Sequence, residues 1–245
     1  MSFGVWAKGG GHPFPFQRCA RGLICRLDSC GSFALPYDHT PLPSHPLKTL
    51  GITGGIGSGK STVAALLGKK PGVRVVSADD EARRLMVEDE GLRRQLIERF
   101  GADTFLEDGS LNRAGLAASV FDDPKEVEAL NAIVHPAVRE ALGKSILQAK
   151  EDGIGLFAYE AALIYEIGAQ DLVEAILLVD APLELRISRV MQRDGSTRSE
   201  VVARMSNQIS SDVLRARADF LIDNDGDLAA LQDSVDSLYR SILDK

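Results

Sequence analysis

The chain has 245 residues and a mass of 26.4 kDa, with 44% hydrophobic residues, 26% charged residues and a mean hydropathy near zero. That is the composition of a soluble globular protein with one large or two small domains; it excludes disordered and collagenous classes, and no run approaches the roughly 18 uninterrupted apolar residues of a membrane-spanning helix. A formal net charge of −7 and an isoelectric point near 5.2 give no global attraction to nucleic acid, so a polyanionic ligand must be held by a local cluster of donors.

The first 47 residues differ from the rest. All three cysteines (Cys19, Cys25, Cys30), the only tryptophan (Trp6), three of the four histidines (His12, His39, His45) and six of the ten prolines fall there. Four basic residues, Lys8, Arg18, Arg21 and Arg26, against Asp28 and Asp38 leave this stretch at +2 and the remainder at −9. Residues 1–47 therefore read as an N-terminal extension, a disordered tail or a start upstream of the natural one. The cysteine spacings fit no common zinc finger. Arg18, Arg21, Arg26 and Asp28 interrupt every apolar run that could serve as a secretory signal. With no cysteine beyond Cys30, disulfides cannot hold the core, and a reducing compartment, the cytoplasm, is the simpler setting.

From residue 48 short apolar runs alternate with helical patterns, which predicts an α/β fold around a five-stranded parallel sheet. Lys48 to Thr53 is the first predicted strand, and residues 54–62 follow it as Gly-Gly-Ile-Gly-Ser-Gly-Lys-Ser-Thr. This satisfies G-x-x-x-x-G-K-[ST] between a strand and a helix. Glycines let successive backbone N–H groups turn inward around phosphate oxygens at a positive helix N-terminus. Gly55, Ile56, Gly57, Ser58, Gly59 and Thr62 are the candidate cradle for ATP, Lys60 reaches its β and γ phosphates, and the Ser61 hydroxyl binds Mg²⁺.

Val73 to Ala78 is the second predicted strand, and Asp79 stands at its carboxyl end, the edge where open α/β sheets bind ligands. There it can accept the proton of an attacking hydroxyl, and it can also cap the helix that follows. The interval from about residue 80 to 152 is too long for one crossover and reads as a helical acceptor-binding insertion. Asp123-Pro124 with Glu126 predicts an N-cap, a proline at the first helical position and a capping-box partner, and His135-Pro136 predicts the opening of a further helix. Ile154 to Tyr159, Ala175 to Val179 and Phe220 to Ile222 complete the strands.

From Pro182 a predicted helix places Leu183, Ile187, Val190 and Met191 on one face and Arg186, Arg189 and Arg193 on another. Three guanidiniums along one face suit a clamp on phosphoryl charge, with Arg189 and then Arg193 the strongest candidates, in a helical lid over about 189–216. Leu228, Leu231, Val235, Leu238 and Ile242 give the last helix one apolar stripe. The guanine-specifying Asn-Lys-x-Asp is missing after the last strand, where Asp223-Asn224-Asp225-Gly226 stands. A helical insertion and an arginine-rich lid instead mark a P-loop NTPase of the nucleoside monophosphate kinase-like kind.

Taken in order, Gly51 through Thr62, Ala78-Asp79 with Ala82-Arg83, Leu111-Asn112-Arg113, Val120-Phe121, Leu130 through His135-Pro136, Arg189 with Gln192-Arg193-Asp194, Arg204 with Gln208, and Ala218-Asp219 with Asn224 resemble dephospho-CoA kinases over residues 49–243. The resemblance implies a kinase domain over 48–245, with its core at 48–79 and 153–245. It further implies phosphorylation of the 3′-hydroxyl of dephospho-CoA by Mg²⁺-ATP, the last step of coenzyme A synthesis, in a monomer that uses neither nucleic acid nor membrane. Asp79 would be the base and Arg189 the lid contact to ATP. Gln208 and Asn224 would lie near the adenine, and Asp79, Arg83, Arg113 and His135 would hold the acceptor. Three positions depart from the family pattern. Ser77 replaces an aspartate, Glu160 replaces the aspartate that contacts Mg²⁺ through water, and Arg186 stands where glutamine is common. A kinase of another small alcohol or of a nucleoside monophosphate, and a nucleotide-binding regulator without catalysis, remain the alternative readings.

Overall fold

Five runs rich in aliphatic side chains form the strands of one parallel sheet in a computed structural model that describes residues 46–120 and 123–243. They are β1 (Lys48–Thr53), β2 (Val73–Ser77), β3 (Leu156–Glu160), β4 (Ala175–Asp180) and β5 (Phe220–Asp223), in the spatial order β2-β3-β1-β4-β5. The predicted strands are all present, with ends shifted by one or two residues: Ala78 opens a helix and Ile154 precedes β3. The reading of residues 1–47 falls, apart from Pro46 and Leu47, outside the described residues.

Register explains which side chains meet the ligand edge. Ile52 lies opposite Glu160 on one side and Leu177 on the other, and Ser77 lies opposite Glu160. Because every pairing is parallel, Thr53, Ser77, Glu160, Asp180 and Asp223 all end their strands on the same edge. β1 sits at the centre with its neighbours reached in opposite directions, so the chain leaving it emerges at the switch point of the sheet.

Strand alternation sends side chains to two faces. Leu50, Ile52, Leu156, Ala158, Leu177 and Val179 pack beneath α1 (Lys60–Leu67) and α9 (Leu228–Leu243). Phe157, Tyr159 and Ile176 pack on the other face with α2 (Ala78–Glu88), α3 (Glu90–Phe100) and α5 (Pro124–Glu151), while α4 (Arg113–Val120) lies alongside α5. Burying each such aliphatic side chain contributes about 1.5–3 kcal/mol. Beyond β4, α6 (Leu183–Asp194) and α7 (Arg198–Ser206) share a small core of Ile187, Val190 and Val201, and α8 (Ser211–Arg217) leads to β5.

Several local expectations are corrected. His135-Pro136 opens no new helix, since α5 runs unbroken through Pro136. Asp123 caps α5, but Glu126 forms no capping box, because its carboxylate is drawn to Arg99. Leu183, Met191 and Leu228 are exposed, so the buried stripes of α6 and α9 are narrower than their sequence patterns. The cap of α2 is Ser77, which accepts from Asp80 N–H, and not Asp79. No helix among the described residues is long and apolar enough to cross a membrane.

Candidate functional site

At the end of β1 the chain turns through Gly54 to Gly59 and enters α1 at Lys60. Gly57 (φ 80°) and Gly59 (φ 96°) adopt left-handed conformations that a side chain would strain. Close approach adds a second reason for glycine here. A Cβ on Gly55 would overlap the Arg186 guanidinium, one on Gly57 the Arg186 carbonyl, and one on Gly59 the Asn224 amide. α1 has no side-chain cap and no acidic residue in its first turn, which leaves its N-terminal donors and positive dipole end to an anion. Thr62 follows inside the helix, its N–H on Gly59 O at 3.0 Å.

Three side chains hold this loop from outside. Gln208 Oε1 accepts from Ile56 N–H at 2.9 Å, Arg186 Nε donates to Ile56 O at 3.0 Å, and Asn224 Nδ2 donates to Ser58 O at 2.8 Å. Gln208 and Asn224, expected beside the adenine, are thus committed to the loop backbone, and Asn224 is buried. Arg186, read as one of three clamp arginines, is also buried. Burial pulls its pKa below the ordinary arginine value, and the nearby Asp180 opposes that shift.

On the β3 side Ser61 Oγ donates to Glu160 Oε1 at 3.1 Å, and Lys60 Nζ lies 3.6 Å from the same oxygen. Ser61, Ser77, Asp79, Asp80, Arg83 and Glu160 border one crevice of about 620 Å³. Arg83 is tied to Asp80 at 2.7 Å. Among the described residues no group of three or more His, Cys, Asp or Glu could by itself hold a metal ion. Asp79, in the first turn of α2, also borders a second cavity of about 210 Å³. That cavity is apolar, lined by Met86, Leu116, Leu130, Val134 and Leu163, with Asn131 and His135 among its polar members. Burial holds the His135 imidazole below its usual pKa, toward the neutral form. Arg113 stands exposed at the start of α4 and borders neither cavity.

The arginines of α6 divide three ways. Arg186 faces the loop backbone, and Arg193 is exposed and paired with Asp194 at 2.7 and 3.0 Å. Arg189 Nη1 is buried with no hydrogen-bond partner among the described residues. A third cavity of about 550 Å³ lies between α6 and α8, bordered by Asp180, Arg186, Gln208, Ser211, Arg215 and Asp223. The bracing role of Arg186 escaped the sequence reading. Its spacing of four residues from Val190 was the available signal, since it places both on one helix face.

A phosphate loop at the switch point of a parallel sheet, with a carboxylate across the crevice and a separate apolar cavity beside it, defines a P-loop kinase of small molecules. The sequence profile of dephospho-CoA kinases matches residues 48–230. The dephospho-CoA kinase of Salinibacter ruber is 44% identical over 196 residues, covering 80% of this chain and 98% of the relative. That of Deinococcus radiodurans is 43% identical over 200 residues, 82% of this chain and 94% of the relative. A solved structure from Thermus thermophilus is 38% identical with a TM-score of 0.65, covering 80% of this chain and 98% of that one. The dephospho-CoA kinase structure from Campylobacter jejuni shares the fold at 23% identity and a TM-score of 0.58, over 81% and 99% of the two chains. The chain belongs to the dephospho-CoA kinase family.

Proposed function

We propose that this kinase transfers the γ-phosphoryl group of ATP to the ribose 3′-hydroxyl of dephospho-CoA, releasing ADP and coenzyme A. The observation that carries the reading is the position of Asp79, which borders both the crevice beside the phosphate loop and the apolar cavity. A hydroxyl presented from the cavity side meets a carboxylate able to take its proton as it attacks phosphorus.

The loop N–H groups and the N-terminus of α1 hold the phosphates, and Lys60 leaves Glu160 to reach them. Ser61 and Glu160 supply hard oxygen donors and no full protein cage, which suits a Mg²⁺ ion arriving with the nucleotide, and these two residues would hold it. When bound, that ion offsets the negative charge of the phosphates. Arg189, whose Nη1 lacks a partner, meets ATP, and Arg193 exchanges Asp194 for phosphate. Gln208 and Asn224 serve the nucleotide through the loop they hold. His135 and the apolar wall seat the acceptor, with Arg83 and Arg113 placed to meet its charged groups from the rim.

Residues 48–79 and 153–245 form the catalytic core, about 80–152 the acceptor insertion, and about 189–216 a lid whose closure excludes water that would otherwise hydrolyse ATP. The enzyme works as a monomer in the cytoplasm, a reducing compartment that suits a kinase domain without cysteine. ADP release with Mg²⁺-ATP tests the assignment. It is expected to be stimulated by dephospho-CoA and not by adenosine or AMP, whereas equal stimulation by all three would contradict it.

A further inference from the structure

Ile56 lies mid-way round the phosphate loop, and both of its backbone polar groups are tied to the segment that follows β4. Its N–H donates to Gln208 Oε1 at 2.9 Å, and its carbonyl accepts from Arg186 Nε at 3.0 Å. Arg186 is only 8% exposed, and arginines are almost never so buried unless paired. Its Nη1 donates to Ser211 Oγ at 3.1 Å and stands 4.0 Å from Asp180 Oδ1. Asp180 accepts from Arg215 Nε at 2.9 Å, and Arg215 bonds Asp223 at the end of β5. Contacts therefore run from the loop carbonyl through α6 and α8 to the sheet edge. The guanidinium also packs directly on Gly55, where no side chain would fit.

The geometry of the peptide unit gives this contact a consequence. In a planar trans peptide the carbonyl of one residue and the N–H of the next point in opposite directions. Holding Ile56 O on Arg186 therefore aims Gly57 N–H away from α6, and holding Ser58 O on Asn224 aims Gly59 N–H away from the end of β5. Those are donors a phosphate nest needs, whereas Ile56 N–H and Ser58 N–H are already spent on Gln208 and Gly55 O.

We propose that Arg186 is a positioning residue for phosphoryl transfer: together with Gln208 it clamps the two peptide groups that flank the Ile56 Cα, so that the phosphate loop holds its anion-binding shape only while the segment from α6 to α8 is seated against it. This rests on the reading of the chain as an ATP-dependent kinase and extends it to how the lid segment and the loop are coupled. Arg186 acts through Ile56, because its Nε and Nη1 are occupied and its side chain is buried.

The test compares Arg186→Met, which keeps the stem and removes the donors, with Arg186→Lys, Gln208→Leu and the Met/Leu double variant. A non-hydrolysable ATP analogue is titrated without acceptor, and both Michaelis constants and the melting temperature are measured. Arg186→Met and Gln208→Leu are each expected to weaken nucleotide binding about tenfold, the effect of losing a hydrogen bond to a charged or buried partner, with KM for dephospho-CoA unchanged. Arg186→Lys is expected to recover part of the loss, and the double variant to lose less than the product of the single effects, because both substitutions free the backbone of the same residue, Ile56. A lowered melting temperature with unaltered nucleotide affinity, or strictly multiplicative effects, would overturn the clamp. If Arg186→Met fails to fold, Arg186→Lys and Gln208→Leu carry the same comparison. Failure of the unsubstituted protein to phosphorylate dephospho-CoA would contradict the functional reading, and that result is independent of the binding constants that decide the clamp.

Discussion

His135 shows how one residue couples stability to the apolar cavity beside α5. It is half-buried in an apolar wall, and desolvation lowers its pKa from the ordinary 6.5. The unfolded chain therefore binds a proton near pH 6.5 that the folded chain refuses, so stability is lost as pH falls through 6.5 and the loss ends below the depressed folded value. Urea unfolding of the parent and of His135→Gln, which cannot titrate, is expected to show the parent losing stability relative to the variant between pH 7 and 5; a constant difference would contradict this. Residues of the phosphate loop were legible in the sequence because their geometry is local, a run of glycines between a strand and a helix. The three arginines of α6 were not separable, because which of them meets the loop depends on how α6 is rotated against β1, a property of packing.

At the scale of elements, α5 is the instructive case. A proline inside a helix removes one hydrogen bond and crowds the preceding turn at a cost of about 3 kcal/mol. The sequence reading accordingly placed a helix start at Pro136. The 28-residue helix persists because Val134, Val138, Ala141, Leu142 and Ala149 are buried along one stripe, which offsets the local penalty, and because Ala132 and Pro136 face solvent, where the orphaned carbonyl can meet water. Pro136→Ala is therefore expected to raise unfolding stability by up to about 3 kcal/mol in a urea titration, and a loss of stability would contradict this account of the helix. Cap chemistry was misread for a similar reason. Glu126 had the spacing of a capping box, but Arg99, from another helix, holds its carboxylate.

For the whole molecule, the alternation of strands and helices predicted the parallel sheet, yet the order β2-β3-β1-β4-β5 follows from burial of both faces and is not written in any one segment. The same order brings Glu160 beside Ser61 across 99 residues of chain. Because 80% of this chain spans 98% of the Salinibacter ruber relative, and the family profile begins at residue 48, a protein starting at Pro46 is expected to keep full activity. Loss of turnover on that truncation would assign the first 45 residues a role in catalysis or folding.

Asp79 borders both the crevice beside the phosphate loop and the apolar cavity, and the proposed transfer depends on it. Asp79→Asn, with ATP affinity measured alongside turnover on dephospho-CoA, tests it most directly. The account predicts ATP binding nearly intact and kcat lowered by roughly 10²-fold or more, the usual effect of losing a general base. Unchanged turnover in this variant would contradict the account.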